Sequence, residues 1–226
     1  MKDYSSHDIC PSPTGVTGVI LAGGKSVRMG SNKALLPFRG GLFIEAIYRQ
    51  FSELFDEVLI VTNTPEQYAS LPCRMVKDIF PDVGALAGLH AGLYHSTNTH
   101  IFAVACDMPY LNGSLVRKMS SLCDRADVVI PQGNKGQEPL HALYGKACLA
   151  PMERSLAAGQ NRLVSFFSEV RVYNFPCEQI AEIDPDFDSF KNINTPGEYF
   201  GLRAAERSAE LMEISTALNA QVCRAG

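Results

Sequence analysis

The sequence predicts an α/β domain in which a mostly parallel sheet is flanked by helices. Short runs rich in β-branched residues alternate with longer segments of helical spacing, a pattern typical of βαβ units. The 226 residues suit one domain, and 46% apolar with only 19% charged residues supply a core and exclude a disordered chain. No repeat or linker divides the sequence. We therefore expect a flexible segment over residues 1–15, one domain over residues 16–200 and a C-terminal helical tail over residues 201–226.

The overall charge limits the classes of partner. A formal net charge of −4 provides no field that would gather nucleic acid or an anionic membrane, so an anionic ligand must be bound by local groups. The first residues contain no apolar leader, and no later run approaches the length of a membrane span. We therefore expect a cytoplasmic protein. The seven cysteines are scattered and form no Cys-x-x-Cys pair, so neither a zinc site nor a disulfide framework is predicted.

The first half of the chain alternates strands and helices. The first strand covers Val16–Leu21, and a long glycine-containing loop separates it from a helix over Leu42–Phe55. There follow in order a strand over Glu57–Thr62, a short helix beginning at Pro65, a strand over Met75–Lys77, a helix over Gly84–Tyr94 and a strand over Ile101–Cys106. Each glycine in the Gly84–Tyr94 helix lowers its helicity by ~1 kcal/mol relative to alanine, which indicates a need for close backbone approach.

The second half continues this alternation. The predicted elements are a helix over Ser114–Cys123, a strand over Asp127–Ile130, a turn at Gly133–Gly136, a strand over Leu140–Tyr144, helical segments over Lys146–Ala158 and Leu163–Phe167, and strands over Val170–Phe175 and Phe190–Ile193. Pro196 is expected to open the last helix. Apolar residues at helical spacing in Arg203–Val222 predict an amphipathic tail helix.

The loop after the first strand has the composition of a phosphate-binding segment. Its glycines allow backbone N–H groups to approach an anion closely, and its cations supply the positive charge that the whole chain lacks. The glycines are Gly23, Gly24 and Gly30, and the cations are Lys25, Arg28 and Lys33. The segment is neither a Walker A loop nor a Gly-x-Gly-x-x-Gly dinucleotide motif. A surface loop with solvated cations is the alternative interpretation.

Two acidic residues are expected at the same edge of the sheet as this loop. Asp107 ends the apolar strand Ile101–Cys106, and open α/β sheets bind ligands outside the carboxyl ends of their strands. A carboxylate there suits Mg²⁺, which binds one or two carboxylates together with phosphate oxygens and water. Asp78 follows the strand Met75–Lys77 and is placed at the same rim. Alone, Asp107 could cap the following turn and Asp78 could be a turn residue.

These residues resemble the signature of nucleotidyltransferases with a Rossmann-like core, and most closely the molybdenum cofactor guanylyltransferases. The resemblance extends from about Val16 to Phe200. The segments that carry it occur in the family's order: Leu21–Leu36, Val76–Asp78, Gly84–Leu89, Cys106–Pro109, Glu138–Tyr144 and Asn192–Pro196. Their combination is more specific than any one motif. The resemblance implies a three-layer Rossmann-like nucleotidyltransferase fold with a mostly parallel central sheet flanked by helices.

The resemblance also implies a reaction, in which GMP is transferred from GTP onto the terminal phosphate of molybdenum-molybdopterin and pyrophosphate is released. The implied partners are these two substrates, other proteins of molybdenum cofactor biosynthesis and the molybdoenzymes that receive the product. Mg²⁺ is the implied cofactor, with Asp107 as its ligand. The implied nucleotide-binding residues are Leu21, Ala22, Gly23, Gly24, Lys33, Asn63, Asp78 and Asp107. Arg28, Lys33 and Asp107 are implied in catalysis, and Arg162, Asn192 and Asn194 in binding the second substrate.

The chain departs from the family pattern at two positions. Asn32 stands where an acid commonly precedes the loop lysine, and Gly84-Ala85 stands where Gly-Pro is usual. The reaction needs no general base because a phosphate monoester is already a nucleophile, so we interpret His141 as a packing or substrate-contact residue. Three alternatives remain open: a cytidylyltransferase for the same cofactor, a cytidylyltransferase for a sugar or polyol phosphate, and a noncatalytic carrier of nucleotide or cofactor.

Overall fold

A computed structural model describes residues 15–23, 32–134 and 136–204, together with Met212. Gly24, Lys25, Arg28 and Gly30 lie outside these ranges, as do residues 1–14 and nearly all of the tail helix predicted over Arg203–Val222. The division of the chain into three segments stays a prediction.

A mixed sheet forms the centre of the fold. Its main strands run in the order β10, β7, β9, β6, β1, β4, β5, and β8 pairs with β7. The strands are β1 (Val16–Leu21), β4 (Val58–Val61), β5 (Arg74–Val76), β6 (His100–Ala105), β7 (Val128–Gly133), β8 (Gly136–Gln137), β9 (His141–Gly145) and β10 (Val172–Phe175). Two short strands, β2 (Pro37–Phe38) and β3 (Gly41–Leu42), form a separate hairpin. In the main path only β9 runs antiparallel to its neighbours.

Helices cover both faces of the sheet. They are α1 (Phe43–Leu54), α2 (Ala85–His95), α3 (Gly113–Ser120), α4 (Leu149–Ala157) and α5 (Cys177–Ile183), and residues 196–204 are also helical. The first core cluster joins one face of the sheet to α1, α3 and α5, and the second joins the other face to α2 and α4. The predicted three-layer fold with a mostly parallel sheet is therefore confirmed.

The glycines of α2 allow close packing on the sheet, as the sequence indicated. A Cβ atom at Gly92 would lie 2.6 Å from Val19 Cγ1 and 3.3 Å from Val61 Cγ2, so a larger residue fits only if the helix or these side chains shift. At Gly88 a Cβ atom would lie 3.6 Å from Leu21 Cδ2. The helix thereby lies directly against β1 and β4, close to the edge where both strands end.

Several predicted elements differ from the observed ones. Phe190–Ile193 is not a strand, because Asp188–Phe190 forms a 3₁₀ turn and Ile193 N donates to the carbonyl of Asp107 (3.0 Å) instead of to a strand. The helix predicted over Leu163–Phe167 is a series of turns followed by a 3₁₀ helix over Phe167–Glu169. The β2–β3 hairpin, β8 and α5 were not predicted.

No helix in the described part of the chain is long and apolar enough to cross a membrane.

Candidate functional site

Four neighbouring parallel strands end at one edge of the sheet. Ala22 follows β1, Asn63 lies two residues beyond β4, Asp78 two beyond β5 and Asp107 two beyond β6. Backbone bonds keep these ends in register beyond the strands, since Ala22 N donates to Val61 O (2.9 Å) and Cys106 N donates to Leu21 O (3.2 Å). Polar side chains that are far apart in the sequence therefore share the edge at which open α/β sheets bind ligands.

A lysine and an aspartate are in direct contact at this edge. Lys33 Nζ donates to Asp107 Oδ2 (3.2 Å) and to Asn194 Oδ1 (2.6 Å). The side chains of Lys33 and Asp107 are 14% and 20% exposed, so the pair is largely shielded but still reaches solvent. Three residues that were predicted for nucleotide, metal and second substrate thus form one cluster, which we call the Lys33–Asp107–Asn194 cluster.

Asn194 is held in this cluster by the start of the last helix. Glu198 Oε2 accepts from the backbone N–H groups of Asn194 (2.7 Å) and Thr195 (2.8 Å), and Thr195 Oγ1 accepts from Glu198 N (3.2 Å). These bonds form a capping box, and the backbone N–H groups lower the pKa of Glu198. The bond from Ile193 N to Asp107 O anchors the same segment to the residue that Lys33 contacts.

Asn63 and Asp78 form a second pair at the edge. Asn63 Nδ2 donates to Asp78 Oδ2 (2.9 Å), and Asp78 N donates back to Asn63 Oδ1 (3.2 Å). Burial raises the pKa of Asp78, nearby Asp82 acts in the same direction, and the hydrogen bond from Asn63 lowers it. A Cβ atom at Gly88 would lie 3.5 Å from Asp78 Oδ1, so this oxygen faces the first turns of α2. The structure therefore brings the two predicted nucleotide contacts together.

Arg162 lies in a different part of the edge from the Lys33–Asp107–Asn194 cluster. It lines an open cleft of ≈ 630 Å³ between the start of α2 and the turns after α4. The cleft is lined by Val83, Gly84, Ala85, Gln137, Pro139, Asn161, Arg162, Leu163 and Val164. Asn192 is exposed. The three residues predicted for the second substrate thus divide between the cluster, an exposed position beside it and this cleft.

Two contributors to the site, Asn32 and Glu198, were not among the predicted site residues although the sequence marked them, and a third, Tyr68, carried no such signal. The Asn32 side chain caps the 3₁₀ helix Lys33–Leu35, because Asn32 Oδ1 accepts from Ala34 N (3.1 Å), and Asn32 Nδ2 donates to Tyr68 Oη (2.7 Å). Glu198 completes the capping box. Sequence signals existed for both residues: an asparagine directly before a helical turn, and a Thr-x-x-Glu pattern beginning at Thr195. No comparable local signal marked Tyr68, whose contact is made across 36 residues.

His141 lies in the core and not at the edge. Its side chain is 0% exposed and packs edge-on against Phe102 and Phe190, with ring centroids 5.1 and 5.2 Å away. Neither ring nitrogen has a hydrogen-bond partner in the described part of the chain, and burial lowers its pKa to about 4. Its burial among aromatic rings agrees with the interpretation of His141 as a packing residue and gives no support to substrate contact.

The metal-binding capacity of the site is limited to a few oxygen atoms. Within residues 15–23, 32–134, 136–204 and 212, no three His, Cys, Asp or Glu side chains are grouped to hold a metal ion. A protein-enclosed metal centre is therefore absent from that part of the molecule. A metal ion at the edge would need oxygens from a bound phosphate as well.

Comparisons with known proteins agree with this geometry. Residues 18–172 match the family described as MobA-like NTP transferase domain. The chain is 35% identical to the molybdenum cofactor guanylyltransferase of Desulfosudis oleivorans over 87% of this chain and 98% of the relative. It is 36% identical to the probable molybdenum cofactor guanylyltransferase of Clostridium perfringens strain 13, over 81% and 93% of the two chains.

A solved structure is similar as well. The crystal structure of molybdopterin-guanine dinucleotide biosynthesis protein A from Archaeoglobus fulgidus superposes with a TM-score of 0.74 at 26% identity, covering 86% of this chain and 98% of that one. The match to the family model covers more than half of the sequence, and the relatives are matched over nearly their whole length. The resemblance seen in the sequence is confirmed, and the chain belongs to the MobA-like NTP transferase family.

Proposed function

We propose that this nucleotidyltransferase moves GMP from GTP onto the terminal phosphate of a molybdopterin-type molybdenum cofactor. An oxygen of that phosphate bonds to the α-phosphorus of GTP, the bond from this phosphorus to the oxygen bridging the β-phosphate breaks, and pyrophosphate leaves. The observation that carries the proposal is the contact of Lys33 with Asp107 and Asn194 at the carboxyl edge. The names of the relatives support guanine as the base and molybdenum cofactor as the acceptor.

In this proposal the nucleotide lies across the ends of β1, β4 and β5. Leu21, Ala22 and Gly23 supply backbone at the end of β1, and Lys33 binds the phosphates. Asp78 and Asn63 bind the base and ribose. One oxygen of Asp78 is engaged by Asn63 and the other faces α2, so the carboxylate keeps acceptor capacity for N–H or O–H donors. Gly24 and Arg28 are assigned to the phosphates from the sequence alone.

The residues present fit a magnesium ion. Nucleotidyltransferases generally use a divalent metal. Asp107 engages Lys33 through Oδ2 only, and its Oδ1 has no hydrogen-bond partner in the described ranges. The donors in the cluster are oxygens, which suits a hard cation that also binds phosphate and water. Asp107 would therefore hold Mg²⁺, and the bound ion would neutralise negative charge on the phosphate oxygens.

The protein's own part in the reaction is positioning and charge neutralisation. A phosphate monoester carries its own nucleophilic oxygen, so no side chain has to remove a proton from it. Lys33, held by two acceptors, presents a fixed positive charge to the triphosphate. Preorganised charges of this kind cost little reorganisation when charge develops in the transition state. This agrees with the placement of His141 in the core.

The second substrate is assigned to the cleft beside α2 and to the neighbouring asparagines. Arg162 is exposed, and its side chain makes no hydrogen bond or ion pair with another described residue, so its guanidinium is available to an anion. The backbone N–H groups at the start of α2 add positive potential on the opposite wall. Asn192 and Asn194 would contact the acceptor near the α-phosphate. Other proteins of cofactor biosynthesis and the recipient molybdoenzymes are the partners that this function implies.

The proposal is tested by pyrophosphate release from GTP, CTP, ATP and UTP with Mg²⁺, each with and without molybdenum cofactor. We expect release only with GTP and cofactor together. Cofactor-dependent release with CTP would instead assign the chain to cytidylyl transfer. Tight nucleotide binding without release from any of the four would identify a noncatalytic carrier.

A further inference from the structure

A tyrosine hydroxyl is buried beside the phosphate-binding edge. Tyr68 belongs to the 3₁₀ helix Pro65–Tyr68 and is 1% exposed. Its hydroxyl accepts from Asn32 Nδ2 (2.7 Å) and lies 3.5 Å from Ala22 O, at the long end of hydrogen-bonding distance. A buried hydroxyl requires partners because its desolvation is costly. The two partners of Tyr68 lie on either side of the segment that precedes Lys33.

The orientation of the Asn32 side-chain amide determines the direction of these hydrogen bonds. Asn32 Oδ1 accepts from Ala34 N (3.1 Å), so the NH₂ group is the part that faces Tyr68 and Gln67 Oε1 (2.7 Å). The Tyr68 oxygen uses a lone pair for Asn32, and its proton therefore needs another acceptor. In the described part of the chain that acceptor is the carbonyl oxygen of Ala22. The bonds run from Asn32 to Tyr68 to Ala22.

These hydrogen bonds connect the residue before Lys33 to the end of strand β1. Ala22 is held in the sheet, because its N–H donates to Val61 O (2.9 Å) directly after β1, which is paired on both sides. Asn32 directly precedes Lys33 and accepts from Leu35 N through its backbone carbonyl (3.1 Å). The Tyr68 hydroxyl thereby links the turn that contains Lys33 to the central strand β1.

We infer that Tyr68 and Asn32 are positioning residues that hold the ammonium group of Lys33 where it can bind the triphosphate. The inference rests on the proposed function, in which Lys33 binds the phosphates of GTP. Loss of the Tyr68 hydroxyl leaves the aromatic ring in the core but removes the link between Ala22 and Asn32. The ammonium group of Lys33 then has a wider range of positions, and binding of the triphosphate weakens while binding of the nucleoside does not.

The first test compares Tyr68→Phe with the wild type by calorimetric titration of GTP and of guanosine. We expect the Kd for GTP to rise roughly five- to tenfold, the size of one lost hydrogen bond, and the Kd for guanosine to change less than about twofold. Tyr48→Phe is the matched control, since Tyr48 Oη also donates to a backbone carbonyl, that of Pro72 (3.1 Å), away from the edge. It should bind both ligands as the wild type does.

The second test places Tyr68→Phe in a Lys33→Ala background. If Tyr68 acts through Lys33, its effect on GTP binding falls below about twofold there. An undiminished effect would overturn the inference, as would unchanged GTP affinity in Tyr68→Phe while Lys33→Ala weakens it. Unchanged GTP affinity in Lys33→Ala itself would contradict the proposed function instead. Thermal unfolding checks that Tyr68→Phe folds, and Asn32→Ala, at a less buried position, should weaken GTP binding in the same way.

Discussion

Asp107 at the carboxyl edge of the sheet and Asp127 at the amino edge each face a basic side chain, but they use their oxygens differently. Asp127 accepts from three groups of Arg171, namely its backbone N (2.9 Å), Nε (3.2 Å) and Nη2 (2.8 Å), and both of its carboxylate oxygens are engaged. Asp107 accepts from Lys33 through one oxygen. Arg171 is 67% exposed, whereas Lys33 is 14% exposed.

This difference distinguishes an ion pair at the start of two strands from the pair that we propose binds ligand. The hydrogen bond from the Arg171 side chain is the main cause of the lowered pKa of Asp127. The two residues directly precede the paired parallel strands β7 and β10. At the other edge, Asp107 Oδ1 has no hydrogen-bond partner among the described residues, and Lys33 shares its ammonium group with Asn194. We therefore propose chemistry at the pair that lies at the carboxyl ends of the strands, where open α/β sheets bind ligands.

The largest predicted effect is that of Asp107→Asn. The amide keeps the shape of the side chain but removes the negative charge that would hold Mg²⁺, which is worth several kcal/mol in such reactions. We expect metal-dependent pyrophosphate release to fall on the order of a hundredfold or more, with a nearly unchanged unfolding temperature. Turnover is measured at saturating GTP across a series of Mg²⁺ concentrations.

Asp127→Asn is the matched control. It should retain wild-type turnover, because Asp127 lies at the opposite edge. Arg171 is mostly exposed to solvent, so the ion pair contributes little and the unfolding temperature should fall by at most ~3 °C. Equal losses of turnover in both variants would mean that the two aspartates do not differ as their bonding indicates.

The second prediction concerns the cation of the edge pair. Lys33→Ala removes a charge-assisted hydrogen bond to phosphate and should raise the Kd for GTP roughly tenfold to a hundredfold, with little change for guanosine. Isothermal titration of both ligands measures this. Lys118→Ala, at an exposed position of α3, is the control and should leave both affinities unchanged. A parallel loss of guanosine affinity would place Lys33 at the base and not at the phosphates.

A third prediction concerns His141, in the core between the two edges. The pKa of His141 is about 4 in the fold and 6.5 ordinarily, so the unfolded chain takes up a proton that the native protein does not. Its contribution to stability is full above pH 6.5 and is lost as the pH falls toward 4. Between pH 7 and 4.5 the wild type should lose roughly 2–3 kcal/mol through this group, and His141→Phe should remove that part of the loss.

Denaturant unfolding at the two pH values measures this effect. Because neither ring nitrogen of His141 has a partner in the described ranges, phenylalanine sacrifices no hydrogen bond there. His95→Gln, at the less buried end of α2, should keep most of the pH dependence. An unchanged dependence in His141→Phe would show that other groups control acid stability.

The sequence predicted the elements that have a strong pattern. β1 matched its predicted bounds, and β6 and α1 lay within one residue of theirs, because flat apolar runs and helical spacing are direct consequences of burial. The two-residue strands β2 and β3 are too short to have a period. The failure at Phe190–Ile193 has a different cause: after the left-handed residue Phe187 (φ 52) the segment turns, and Ile193 bonds to Asp107 at the site.

The site was predictable where it depends on strand ends. The placement of Asp78 and Asp107 at one edge follows from the parallel order of β5 and β6, and a lysine in the loop after β1 must lie near them. The contact from Asn32 to Tyr68 was not predictable, because it joins two turns whose relative position depends on the packed core. The assignment of Arg162 to a separate cleft also required the folded arrangement of α2 and α4.

The role proposed for Asp107 in GMP transfer is tested most directly by following the α-phosphate of GTP. GTP labelled at the α-phosphate is incubated with molybdenum cofactor and the wild type, Asp107→Asn or Asp127→Asn, and label in the cofactor fraction is counted. We expect transfer by the wild type and by Asp127→Asn, and almost none by Asp107→Asn. Transfer by Asp107→Asn at the wild-type rate would contradict it.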